Sequence, residues 1–145
     1  MIKKIALAIL VLAGIAQLIQ PDRTVEAAPA EQDFLVMTNA PEDLAGMIRM
    51  ACYDCHSNET VYPWYANISP VSWWLQNHIV EGREEMNFSV WGSYSAKRKD
   101  HKLEECSEAL REGWMPLESY TFIHRSADLS SEDRERLALW IDAQR

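Results

Sequence analysis

Apolar residues are spread unevenly along this chain. From Ile5 to Ile19 they form a run broken only by Gly14 and Gln17, with Lys3 and Lys4 just ahead of it. Two lysines before a short apolar stretch have the form of an export segment, so the chain is expected to leave the cytoplasm. About 20 apolar residues span a bilayer comfortably, and this run is shorter. It reads either as a removable leader or as an anchor whose lysines snorkel to the interface. Ala27 and Ala30 offer small-residue cleavage positions but lie well beyond the run. From Pro21 to Thr38 the pattern dissolves into Asp22, Glu26, Glu31, Asp33, several alanines and Pro29, with a brief apolar patch at Phe34 to Met37. That stretch predicts a linker. The expected organisation is an apolar segment over 1–20, a linker over 21–38 and one folded domain over 39–145.

Within the domain the apolar spacing is helical. Leu44, Met47, Ile48 and Ala51 share one face of a helix predicted over Asn39 to Ala51, with Asn39 as cap and Glu42 reciprocating three residues on. Ser69-Pro70 is a cap-then-first-turn start for a second helix, Val71 to about Glu85, on which Trp74 and His78 share a face. A third, Lys102 to Glu112, turns Leu103, Cys106, Ala109 and Leu110 inward and stops at Gly113. A last helix starts at Ser130, gathers Glu132 and Asp133 in its first turn and buries Leu137, Trp140 and Ile141. No alternating strand pattern of comparable length occurs, so the class is all-α.

Composition narrows the function. The 145 residues carry 14 Lys plus Arg against 22 Asp plus Glu, for a net charge of -8. Removing Lys3 and Lys4 takes that -8 to -10. A nucleic-acid binder needs the opposite balance, so no nucleic acid is expected and electrostatic partners should be basic. Three cysteines cannot all pair within one chain, and at least one has another task.

The task is written in Cys52-Tyr53-Asp54-Cys55-His56. Two cysteines three apart followed at once by histidine form the attachment signature of c-type haem. At a helix end the two thiols lie about one turn apart and can reach both vinyl groups on one porphyrin edge, while the histidine swings beneath the iron. Zinc would call for a second ligand pair, which is missing. A thioredoxin-like redox pair would sit in an α/β pattern and does not require the histidine. A plain disulfide would leave His56 unexplained.

The residues around this motif resemble a known family. Ala51 to Thr60, Tyr62-Pro63-Trp64-Tyr65, Ser69-Pro70-Val71-Ser72-Trp73, His78, Glu81-Gly82-Arg83, Asn87-Phe88-Ser89, Trp91-Gly92 and Met115-Pro116-Leu117 are similar to the bacterial haem-binding domain family of small cytochromes c. The similarity covers 39–145 and extends to an N-terminal apolar helix followed by Gln20-Pro21-Asp22-Arg23. It implies a cytochrome c-like helical domain enclosing one haem, an extracytoplasmic place and a membrane tether. The expected activity is one-electron transfer with a redox partner protein, without substrate catalysis. The alternative is a gas or redox sensor, or a peroxidase-like module, with an open sixth iron site.

Candidates for the sixth ligand are Met115, His78, His101, His124 and Met86. Met115 is preferred because it sits in a proline-stiffened loop between the haem motif and the C-terminal helix, and a soft thioether favours ferrous iron. His78 is its main rival. Trp74 and Tyr65 are expected to wall the haem, with Tyr62, Tyr65 and Arg83 as possible donors to its propionates. Cys106 reads most simply as a small buried hydrophobe. The run Lys97 to Lys102 reads as a solvated loop or helix start.

Overall fold

A computed structural model describes residues 1–145, and they are helical with no strands. Eight α-helical segments are present: α1 (Ile2–Ala16), α2 (Phe34–Met37), α3 (Glu42–Ala51), α4 (Tyr53–His56), α5 (Val71–Glu85), α6 (Ala96–Arg111), α7 (Glu118–Thr121) and α8 (Ser131–Asp142). Short 3-10 turns at Ala30–Gln32, Trp64–Asn67, Phe88–Ser93 and Arg125–Ala127 link them.

The main core forms where α3, α6 and α8 bring their apolar faces together with the Phe88–Ser93 turn. Phe34, Ile48, Leu103, Leu110, Leu137 and Ile141 are buried there. The long pair α6 and α8 is also fastened at its edges, by Arg111 to Asp142 at 2.7 Å and Arg145 to Asp100 at 2.9 Å. A smaller cluster of Ala66, Leu75 and Ile79 lies between α5 and the Trp64–Asn67 turn, with Cys55, Tyr62 and Tyr65 packed on it.

Two predicted elements hold with the bounds expected. Helix α5 spans Val71–Glu85, and α8 begins after Ser130, whose Oγ accepts from the Asp133 backbone N–H. The other elements differ in instructive ways.

The predicted linker ends too late. The Asp33 carboxylate caps α2 by accepting from the Leu35 N–H at 2.9 Å. Phe34 then enters the core, 1% exposed, with its ring 5.2 Å from Phe88, 5.0 Å from Trp91 and 5.7 Å from Trp140. A four-residue apolar patch is too short to show a period, yet one cap and one aromatic anchor suffice to fold it. The packed domain therefore begins near Ala30, ahead of the boundary expected at Asn39.

Asn39 is no cap either. It adopts φ 47° and closes the preceding turn, and Pro41 starts α3 without a side-chain cap. Helix α6 begins six residues before the expected Lys102. Its first turns, Lys97 to Lys102, hold none of its buried residues, so the apolar period becomes visible only at Leu103. Ser95 Oγ caps it. Gly113 ends the segment at φ 75°, a left-handed position that glycine takes without strain.

Candidate functional site

Helix α3 delivers the cysteine motif. Its last turn ends at Ala51, Cys52 breaks the helical dihedrals, and α4 carries Tyr53 to His56 as one further turn. The turn is locked from several sides. Tyr53 stacks on Phe88, with centroids 5.2 Å apart and planes 11° from parallel. Its hydroxyl donates to the buried Asp33 carboxylate at 2.8 Å. Burial, and secondly that bond, push the Tyr53 phenol well above its ordinary range. Asp54 accepts from the Val61 N–H at 3.0 Å and from the Tyr120 hydroxyl at 2.8 Å. Arg83 on α5 donates to the Ser57 carbonyl at 2.7 Å and to Thr60 Oγ1 at 2.8 Å.

Beside this turn lies an apolar cavity of about 270 Å³. Cys52 and His56 line it from the motif, Met86 and Phe88 from behind α5, Cys106, Ala109 and Leu110 from α6, and Trp114, Met115 and Pro116 from the loop after α6. Glu85, Lys102 and Glu105 also line it, and Lys102 Nζ is held 3.1 Å from Glu85 and 2.7 Å from Glu105. The structure thus brings His56 and Met115, widely separated in sequence, to one cavity.

The His56 ring is set for ligation. Its Nδ1 lies 3.0 Å from the Met86 carbonyl oxygen, so Nδ1 carries the proton and donates. Nε2 has no protein partner, yet no buried side-chain polar atom is left unsatisfied, so Nε2 meets open space. Burial is the largest influence on the ring and lowers its pKa, which keeps the imidazole neutral with a lone pair on Nε2. A backbone carbonyl holding the second ring nitrogen is how metal-binding histidines are commonly oriented.

All three cysteines are free thiols. Burial pushes the Cys55 thiol up to about 11 and the Cys106 thiol up to about 12, and raises Cys52 further still. They are uncharged at neutral pH. Cys52 faces the cavity, whereas Cys55 packs on the small cluster of Ala66, Leu75 and Ile79. The residues fit a haem in their chemistry: two free thiols, a neutral imidazole with one nitrogen held and one open, and a thioether on the same apolar cavity. Contact with both thiols further requires Cys55 to turn from its present neighbours.

Several expected site residues lie elsewhere. Trp74 and His78 do share a face of α5, with rings 4.3 Å apart, but neither lines the cavity. His78 Nδ1 pairs with the Trp74 carbonyl at 2.9 Å. Tyr65 bonds His124 Nε2 at 2.6 Å, Tyr62 bonds Gln76 at 2.8 Å, and Arg83 is spent on the motif loop. His101 reaches Glu105 on the helix surface. The roles of Trp74 and Tyr65 as cavity walls fall instead to Phe88, Trp114 and Pro116.

Two contributors escaped the sequence reading. The Met86 carbonyl is a backbone group and has no residue-type signature. Lys102 was visible three residues before Glu105, the spacing of a helical ion pair, but its link to Glu85 joins residues 17 positions apart on two helices and exists only in the folded chain.

Compared with known proteins, the chain matches the model of a haem-binding domain over residues 11–143. No curated protein and no solved structure matches it.

Proposed function

Because the chain belongs to the haem-binding domain family, matched over residues 11–143, we propose that it is an extracytoplasmic monohaem c-type cytochrome that carries single electrons. Cys52 and Cys55 would hold the haem c through thioether bonds, His56 would be the proximal ligand and Met115 the opposing one. The observation that carries this reading is the shared cavity, lined both by His56, which the Met86 carbonyl orients, and by Met115. The bound haem supplies one-electron exchange between ferrous and ferric iron. The protein's part is to keep His56 neutral, present the Met115 sulfur without proton chemistry, and keep water from the iron with Phe88, Leu110 and Pro116.

A sensor or peroxidase-like reading needs a distal acid-base group at the cavity. His78 and His124 do not line it, and the carboxylates that do, Glu85 and Glu105, are both paired with Lys102, which favours the carrier. The net charge of -8 supports a basic redox partner. Attachment of haem c outside the bacterial cytoplasmic membrane supports a place on its outer side, with the N-terminal segment as the tether. No helix is long and apolar enough to cross a membrane, so that tether needs support from elsewhere in the fold.

Optical and magnetic spectra of purified holoprotein test the assignment. Low-spin, six-coordinate iron in both oxidation states is expected, and Met115→Ala should open the reduced protein to carbon monoxide. Wild-type protein that is high-spin and binds carbon monoxide readily would overturn the carrier. Unchanged ligation in Met115→Ala would remove Met115 from the iron.

A further inference from the structure

One segment departs from the rest of the chain in chemistry. From Thr60 to Val80, 21 residues include no Asp, Glu, Lys or Arg, although 25% of the whole chain is charged. None of the ion pairs involves it. It nevertheless faces outward, with Trp64, Ile68, Val71, Trp73 and Trp74 all exposed. Exposed tryptophans and aliphatics with no charges among them make a poor water-facing surface.

The C-terminal end of α1 is fastened to this same segment. The Gln17 amide donates to the Ser69 carbonyl at 3.0 Å and accepts from the Ser69 N–H at 2.9 Å. Trp73 Nε1 donates to the Ile19 carbonyl at 2.6 Å. Arg23 donates to the Ala66 carbonyl and to Asn67 Oδ1, and its guanidinium lies 4.6 Å from the Tyr62 ring centre. Gln17, Gln20 and Arg23 therefore form a clamp, where a free linker would leave the domain to swing.

Helix α1 buries none of its 15 residues against the protein. Past its lysines it is apolar nearly all round, which calls for an apolar medium. At 1.5 Å per residue it is about 22 Å long, short of the roughly 30 Å of a bilayer's hydrocarbon. A hydrophobic stretch shorter than the bilayer is accommodated by local thinning and by flanking residues held at the interface, so a body fastened rigidly to its end lies close to the lipid. Tryptophan is favoured at the headgroup level.

We propose that α1 enters the bilayer and that the clamp seats the exposed tryptophans of residues 60–80 in the lipid interface, with Trp64 and Trp74 at headgroup depth and Arg23 and Glu81 at the edge of the contact. This rests on the membrane-tethered reading above and goes beyond it. The domain docks on lipid in one orientation, and the segment through Arg23 is a working part of the mature fold.

The test uses full-length holoprotein on vesicles of phosphatidylethanolamine and phosphatidylglycerol, with hydroxyl-radical modification of each tryptophan read by mass spectrometry. Trp64 is 76% exposed and Trp114 is 65% exposed, so without lipid Trp64 should react at least as fast. On vesicles the ratio of Trp64 to Trp114 reactivity is expected to fall about fivefold from its lipid-free value, as burial of Trp64 at the interface requires. In Gln17→Ala/Arg23→Ala, protein that still sediments with vesicles and keeps its haem spectrum should return to the lipid-free ratio. An unprotected Trp64 in wild-type protein that does sediment overturns the docking and spares the tether. Failure of wild-type protein to sediment overturns both. Protection that grows with protein density on the vesicle assigns the face to a second copy and overturns the lipid. Protection that survives in the double variant overturns the clamp.

Discussion

The two apolar clusters of this domain are finished in different ways. The larger one, around Phe34, Leu103, Leu137 and Ile141, is closed by protein, and the helices over it turn charge outward, as in the Arg111–Asp142 and Arg145–Asp100 pairs. The smaller one has three buried members, Ala66, Leu75 and Ile79, under a surface of exposed tryptophans on which Arg23 is laid. The haem motif joins them, because Cys52 packs on the first and Cys55 on the second. Anything bonded to both cysteines ties the self-sufficient half to the one that leans on its surroundings.

The sharpest way to break this comparison is truncation in each cluster. Leu137→Ala, at a site with no exposure, is expected to cost toward the upper end of the roughly 2–5 kcal/mol seen for large-to-small core changes. Ile79→Ala should fall at the lower end of about 2–5 kcal/mol, since fewer neighbours surround its cavity. Denaturant unfolding of the two variants checks the order, and equal losses would mean that the smaller cluster is as complete as the larger.

The next effect concerns the seam between α4 and α5. A Cβ at Gly82 would stand 2.9 Å from the Cys55 carbonyl oxygen, a backbone atom that cannot step aside alone. Gly82→Ala is therefore expected to destabilise by about 1–3 kcal/mol and to lower the yield of covalently attached haem, read from the haem stain of denatured protein. Normal stability and attachment would show the seam to be loose.

The smallest effect should come from the ion pairs over the large core. Arg111 holds Asp142 at 2.7 Å and Glu135 at 3.3 Å on the surface, where such pairs contribute little. The unfolding midpoint of Arg111→Ala should match wild type within error. A clear drop would mean that the large core depends on its charged cover.

Much of this was legible in the chain. The start of α8 follows from Ser130 with its acidic first turn, because caps act within a few residues of the groups they satisfy. Helix α5 has the expected bounds, but Pro70 holds its cap position, and Ser69 Oγ turns to Ile19 and Ser72 instead of capping it. Met115 was legible as a candidate from its place in the loop, and it lines the same cavity as His56. Residues 33–37 were misread because Phe34 is held by Phe88, Trp91 and Trp140, contacts that no local pattern announces. Trp74 and Tyr65 lie off the cavity for a related reason. Aromatic identity fixes what a side chain could line, and packing decides which surface it meets.

Sequence alone determined the all-helical class, the excess of negative charge and the Cys52-Cys55-His56 motif, because helical period, net charge and motif spacing are all properties of neighbouring residues. Only the tertiary structure decided which carbonyl orients His56, that Cys52 and Cys55 belong to different apolar clusters, and that Gln17 and Arg23 reach Ser69 and Ala66. Those pairings join residues some 30 to 50 positions apart. Backbone carbonyls and amides make most of them, and every residue carries those groups alike.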